Sequence, residues 1–215
     1  ADTLTCPVYY TGYVVQSDPD RVEFDPADLA LLNDPIPKIV VSVGGGKLGH
    51  DLLESIIQAA PLLQEKISHQ IVIFAGPLMD ESKYQQLEKL AQGQNNISLR
   101  RFTPSLIAYL DRADLSISLG GYNTTMNILK TGVRSIIYPS DKDREQAIRA
   151  EKLEKLSLLK ILNNSELEPE RLAQLIVDYL AEESNLNLEY QIQLEGAKQA
   201  SLILQELLKS NLIAA

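Results

Sequence analysis

The stretch "DLSISLGGYNTTMNILKTG", Asp114–Gly132, decides how the chain folds. Leu115, Ile117 and Leu119 alternate with polar residues at the period of a β-strand. The run stops at Gly120 and Gly121. Asn123, Thr124 and Thr125 then open a helical pattern that Gly132 closes, because glycine enters the left-handed conformation of a helix C-terminus without a Cβ penalty. Two readings of the turn compete. The glycines can be a tight connection followed by an Asn or Thr N-cap, worth about 1 kcal/mol. Alternatively, a turn free of side chains lets an anion approach the unpaired N–H groups and positive dipole end of the helix.

The same strand, turn and helix unit recurs on both sides of this stretch. "KIVVSVG" (Lys38–Gly44) and "QIVIFAG" (Gln70–Gly76) are β-branched runs with the character of strands buried on both faces. Weaker runs follow at "NISLRRF" (Asn96–Phe102) and "VRSIIYP" (Val133–Pro139). Leu48–Ala60 places Leu52, Leu53, Ile56, Ile57 and Ala60 on one helical face, and Ser82–Gln92 and Pro104–Asp111 repeat the pattern. Strands alternating with helices predict an α/β domain: a Rossmann-like, doubly wound parallel sheet covered on both sides. "PVYYTGYVV" (Pro7–Val15) reads as a further strand, and the Pro- and Asp-rich stretch from Ser17 to Pro37 as turns. From about Glu168 the chain is nearly all helical. Its last helix carries Ile192, Ala197, Ala200, Ile203, Leu204 and Leu207 on a broad apolar face. No internal repeat or low-complexity linker divides the chain, so a single domain with extra C-terminal helices is expected.

Composition narrows the function classes. With 215 residues and 45% hydrophobic content the chain can bury a sizeable core. The net charge is −9, and the 20 Lys and Arg form no dense basic run, which argues against nucleic acid as a partner. No window approaches the roughly 18 apolar residues of a membrane span. "ADTLTCPVYY" lacks the basic-then-apolar pattern of a secretory signal. Cys6, the single cysteine, permits neither an internal disulfide nor a Cys-based zinc site and fits a reducing cytoplasm.

In an open α/β sheet, ligands bind beyond the carboxyl ends of the strands, where strand order reverses. Every residue of chemical interest falls at such an end. Gly44, Gly45, Gly46 and Lys47 follow one strand and precede a helix, a ready anion site that matches neither a Walker A loop nor a GxGxxG fingerprint. Gly121, Asn123 and Thr124 follow another. "PSDKDREQAIRAEKL" (Pro139–Leu153) follows a third, and offers Glu145 and Gln146 as sugar-hydroxyl or ribose partners near a helix start. Two glycine-bounded helix starts in one sheet can face each other across a single diphosphate. His50 and His69 read as surface residues, and two histidines without a partnering motif make no zinc site. "DPD" (Asp18–Asp20) and "DKD" (Asp141–Asp143) match the loose Asp-x-Asp pattern of metal-dependent sugar transferases but are short enough to arise by chance. No nucleophile elbow is present.

The run from about Lys38 to Leu156 resembles the C-terminal, donor-binding domain of GT-B glycosyltransferases. The resemblance is closest to glycosyltransferase family 28, which includes the N-acetylglucosaminyltransferase of peptidoglycan synthesis. "GGYNTTMNIL" with "REQAIRAEKL" looks like the predicted MurG-like members. The resemblance implies that the chain is one half of a GT-B fold. Residues 1–37 would be the inter-domain strand and linker region packed on a donor-binding domain of residues 38–215, and the N-terminal acceptor domain, with the catalytic base, would be absent. Carried over by position, Gly44, Gly45, Gly46 and Lys47, with Gly121, Asn123 and Thr124, would hold the diphosphate. Arg101, Phe102 and Thr103 would pack and hydrogen-bond the base, and Glu145, Gln146 and Arg149 would reach the donor sugar. Where the family places a Glu for the ribose hydroxyls, this chain has Asn127, which keeps an acceptor but loses the carboxylate charge.

The implied function is donor binding, with a UDP-sugar as substrate, for an inverting, metal-independent hexosyltransferase that uses no cofactor. The partners implied are the nucleotide-sugar, the acceptor domain and a lipid-linked acceptor, in the cytoplasm or peripheral at the membrane's cytoplasmic face. The isolated chain is expected to bind nucleotide without turnover. Two alternatives stay open: a non-catalytic nucleotide-binding or partner-docking module, and a GT-B-type sugar-nucleotide epimerase.

Overall fold

The computed structural model describes residues 6–16, 24, 26–140, 143–182 and 192–213. Its centre is a six-stranded parallel sheet in the order β3-β2-β1-β4-β5-β6. The strands are β1 (Lys38–Ser42), β2 (Gln70–Phe74), β3 (Ile97–Arg100), β4 (Leu115–Ser118), β5 (Ser135–Ile137) and β6 (Lys160–Ile161). Five of them are the runs expected from the sequence. The sixth adds only Lys160 and Ile161, paired with Ile136 and Ile137, and is too short to carry a periodic signal.

Alternation along each strand feeds two cores. Ile39, Val41, Ile71, Ile73, Leu115 and Ile117 face α2 (His50–Gln64), α3 (Glu81–Ala91) and α7 (Pro169–Ala181). On the opposite face Val40, Val72, Phe74 and Ile137 meet α1 (Pro26–Asn33), α4 (Leu106–Leu110), α5 (Tyr122–Thr131) and α6 (Arg144–Lys155). Such two-faced burial requires apolar residues at successive positions, which is why these strands read as continuous runs. Leu52, Leu53, Ile56 and Ile57 are at most 1% exposed. Each contributes about 1.5–3 kcal/mol through burial, so the α2 face anchors one whole layer.

Several expectations change. Pro26–Asn33 lies inside the stretch read as turns, yet forms α1 with Pro26 at its first position, where proline's missing N–H costs nothing. Buried Asp28 fixes this helix: it accepts hydrogen bonds from Ser98 Oγ and Tyr109 Oη and pairs with Arg100 at 3.2 Å. "PVYYTGYVV" is not a strand; its one β-bridge joins Val14 to Glu195, at the start of α8 (Gly196–Ile213). His69 is fully buried rather than a surface residue. The apolar face of α8 forms from Ala197 onward, but Ile192, expected on it, lies before the helix and packs against the second core, and the face stays largely open, with Leu204 59% and Leu208 63% exposed.

Candidate functional site

Strand order reverses between β1 and β4, the strands whose carboxyl ends carry the two glycine turns. A cleft of about 310 Å³ opens there, lined by Gly44–Leu48, Leu119, Gly121, Thr124 and Gln146. A second cleft of about 290 Å³ adjoins it through Ser42, Gly44 and Gly45 and is lined by Phe74, Phe102, Thr103 and Asn123. The two form one groove running from the exposed Phe102 ring to the start of α5.

The loop after β1 needs glycine for definite reasons. Gly46 has φ +87°, and a Cβ there would lie 2.5 Å from the Ala75 carbonyl oxygen. Gly76 has φ +91°, and its Cβ would lie 2.3 Å from Gly46 N. Two backbones therefore cross at contact distance, and neither residue can carry a side chain. This crossing presses the β1–α2 loop into place and leaves Gly44 and Lys47 exposed above the groove. Lys47 is the cation of the first cleft, and no described residue pairs with its ammonium group.

The three helix starts around the groove differ in charge. In α6 the Asp143 carboxylate accepts hydrogen bonds from the N–H groups of Glu145 (3.1 Å) and Gln146 (3.2 Å). That satisfies the helix end internally. It also gives Asp143 of the "DKD" triplet a capping role. In α2, Gly49 is the N-cap with no side-chain bond, and Asp51 stands in the first turn. In α5 the N-cap is Gly121, also without a side-chain bond, and the first turn holds no acid. The first intrahelical bond runs from Thr125 N to Gly121 O at 2.9 Å, so the N–H groups of Tyr122, Asn123 and Thr124 precede the ladder. The Asn or Thr cap, one of the two competing readings of this turn, does not form. Thr125 turns its hydroxyl back to the Gly121 carbonyl at 3.0 Å, while Thr124 lines one cleft and Asn123 the other. Of the three, α5 presents the least compensated positive end, and an anion is favoured there by the dipole and by direct hydrogen bonds.

The other candidate residues are placed unevenly. Phe102 is 62% exposed over its cleft, and no described residue bonds its backbone N–H or C=O. Arg101 lines that cleft but is engaged with Glu81, with the Met79 carbonyl at 3.2 Å and with the Tyr84 ring at 4.0 Å. Thr103 Oγ1 accepts from Ser105 N–H at 3.1 Å. Gln146 reaches the first cleft, and its Oε1 accepts from Ser140 N–H at 3.4 Å. Glu145 and Arg149 pair with each other and line neither cleft. Asn127 is 3% exposed, lines neither cleft and buries its Oδ1 without a partner. His50 is half-buried, with Nδ1 3.8 Å from Glu54. Asp18–Asp20, Asp141 and Lys142 lie outside the described residues, among which no group of three or more His, Cys, Asp or Glu could hold a metal ion. Among the same residues, no helix is long and apolar enough to cross a membrane.

Sequence reasoning missed Ser42 and Gly76. Ser42 forms the floor shared by both clefts, and its signal was a hydroxyl ending an otherwise apolar strand. Gly76 had no local signal, because its partner lies thirty residues away.

Comparison with known proteins supplies the remaining observation. Residues 39–206 match the model of the glycosyltransferase family 28 C-terminal domain. A glycosyltransferase of Methanosarcina mazei named as uncharacterised is 25% identical over 158 residues, which is 74% of this chain and 38% of that protein. A Glaesserella parasuis enzyme is 24% identical over 78% of this chain and 46% of its own length. Its name is UDP-N-acetylglucosamine–N-acetylmuramyl-(pentapeptide) pyrophosphoryl-undecaprenol N-acetylglucosamine transferase. The chain thus spans half or less of the length of these relatives. The crystal structure of Acinetobacter baumannii MurG superposes with a TM-score of 0.55 at 23% identity, covering 79% of this chain and 48% of that one, a likeness of fold.

Proposed function

The chain belongs to the family of glycosyltransferase family 28 C-terminal domains, and from that premise we propose that it is the nucleotide-sugar-binding half of an inverting hexosyltransferase, with a UDP-sugar as donor. The observation that carries the reading is the uncapped, acid-free start of α5 opening onto a groove at the switch point of the sheet. A diphosphate seated on the N–H groups at Gly121–Thr124, with Lys47 above it, puts the base toward Phe102 and the sugar toward Gln146. The ribose falls between them, beside Asn123, while Asn127, one turn further along α5, is buried and lines neither cleft.

In the transfer step an acceptor hydroxyl attacks the anomeric carbon while the bond from that carbon to the diphosphate oxygen breaks. The bonding pair leaves with the diphosphate, the acceptor proton passes to a base on the N-terminal half, and configuration inverts. The start of α5 and the glycine-loop amides meet the charge that develops on the leaving group, which lowers the barrier without requiring a metal ion or cofactor. By likeness to the Glaesserella enzyme, whose name specifies a pyrophosphoryl-undecaprenol acceptor, the acceptor is lipid-linked. The full protein would then act in the cytoplasm or at the membrane's cytoplasmic face.

Isothermal titration with UDP, GDP, dTDP and ADP tests this reading. UDP is expected to bind selectively, and Thr124→Val to weaken binding about tenfold or more through the loss of a hydrogen bond to a charged group, with Gly121→Leu weakening it at least as much by obstruction. Gly121 has φ −56° and open space where a Cβ would stand, so leucine obstructs the groove without straining the backbone. Absence of binding to all four diphosphates at millimolar concentration would overturn the donor reading for this chain. Asn127 supports a second reading, a nucleotide-binding module without transfer activity, because an amide with its oxygen buried replaces the carboxylate. Nucleotide binding without turnover in a protein containing both halves would favour it.

A further inference from the structure

We infer that Arg149 is a positioning residue for the anion site, orienting the peptide at the mouth of α5 rather than contacting the sugar. This inference rests on the donor-binding reading above. Arg149 is 12% exposed in its side chain, and its Nη2 donates to the Gly120 carbonyl oxygen at 3.0 Å. Its guanidinium stands 5.6 Å from the centre of the Tyr122 ring, and Nη1 pairs with Glu145. Residues immediately before and after Gly121 are therefore held by one side chain from the neighbouring helix.

The consequence follows from peptide geometry. In a planar trans peptide the C=O of one residue and the N–H of the next point in opposite directions. Arg149 grips the Gly120 oxygen, so the Gly121 N–H points away from Arg149, and Gly121 lines the groove. No described residue accepts a hydrogen bond from that N–H. The grip also disfavours the flipped peptide, in which the Gly120 carbonyl oxygen would face the anion in place of the N–H. Gly120 cannot supply this order itself: it has φ +76°, a conformation in which glycine is the least constrained residue. The far side of the same turn is tied to the N-terminal segment, where Val14 N–H donates to Tyr122 Oη at 3.1 Å. Arg149 and Val14 hold the first residue of α5 from two sides.

The test is calorimetric titration of inorganic pyrophosphate, of UDP, which lacks the transferred hexose, and of a UDP-hexose into this chain and its Arg149→Met and Arg149→Lys variants, with thermal unfolding to verify the fold. Arg149→Met is expected to weaken UDP and inorganic pyrophosphate by the same factor, about tenfold, and Arg149→Lys to recover most of that loss through one remaining donor. If the methionine variant does not fold, Arg149→Gln takes its place with the same expectation. A folded Met or Gln variant that binds UDP as tightly as the unmodified chain overturns the inference and leaves the donor reading standing. So does a loss confined to UDP-sugars, which would mark a sugar contact. If the unmodified chain itself binds no nucleoside diphosphate, the donor reading falls and the inference with it.

Discussion

His69 is fully buried just before β2, with Nδ1 3.0 Å from the Ile67 carbonyl oxygen and Nε2 2.9 Å from the Asn96 side-chain nitrogen. A neutral ring with its proton on Nδ1 satisfies both contacts, donating to Ile67 and accepting from Asn96. Burial pushes its pKa below the ordinary value, outweighing the opposing pull of the Ile67 carbonyl. The unfolded chain therefore takes up a proton near pH 6.5 that the folded chain refuses, and the linkage has one sign. The contribution of His69 is constant at neutral pH and is lost as pH falls below about 6.5 toward the lowered folded value. Urea denaturation at pH 7.5 and 5.5 is expected to show a lower midpoint at the acid pH. The difference should shrink in His69→Gln, and an unchanged pH dependence in that variant would assign the loss to other groups. Nothing adjacent in "ISHQIVIF" announced this burial. The acceptor for Nδ1 is local, but Asn96 arrives from the edge of β3.

Among elements, the crossing of the β1–α2 and β2–α3 loops at Gly46 and Gly76 controls the groove more than either loop alone. A methyl group at Gly76 would meet Gly46 N at 2.3 Å and the Gly45 carbon at 2.5 Å, with φ +91°. The left-handed backbone costs roughly 1–2 kcal/mol for a residue with a Cβ, and the overlap with backbone atoms adds to it. Gly76→Ala is expected to lower the melting temperature by about 5 °C or more and to weaken UDP by displacing the loop. A melting temperature within about 1 °C of the parent would show that the loops part at little cost. The strand-turn-helix units themselves were legible, since period-2 and period-3.6 patterns are local properties of the chain. The polarity of each helix start was only half legible: Asp143 caps α6, whereas the Asn and Thr at α5 leave its end to Gly121.

Across the whole molecule, binding and folding are linked, because a ligand held by β1, β4 and α5 together has no counterpart in the unfolded chain. Saturation at a hundredfold excess of UDP over its Kd is expected to add about 2.7 kcal/mol of stability, raising the melting temperature by roughly 5–10 °C. No rise at such a concentration would show that the groove does not hold the nucleotide in the native state. The sequence alone determined the class of fold, five of the six strands, the α-helices other than α1 and the positions of both glycine turns. These follow from periodicity and from glycine's backbone freedom, which depend only on neighbours in the chain. It also placed Leu204 and Leu207 on one face of α8, without saying that the face stays open. Only the tertiary structure decided the strand order, and with it the neighbouring of β1 and β4 that joins two separate turns into one groove. It alone set Gly46 against Gly76, Arg149 on Gly120 and Asp28 beneath Ser98. Each of those contacts joins residues separated by dozens of positions, and distance along the chain carries no record of proximity in space.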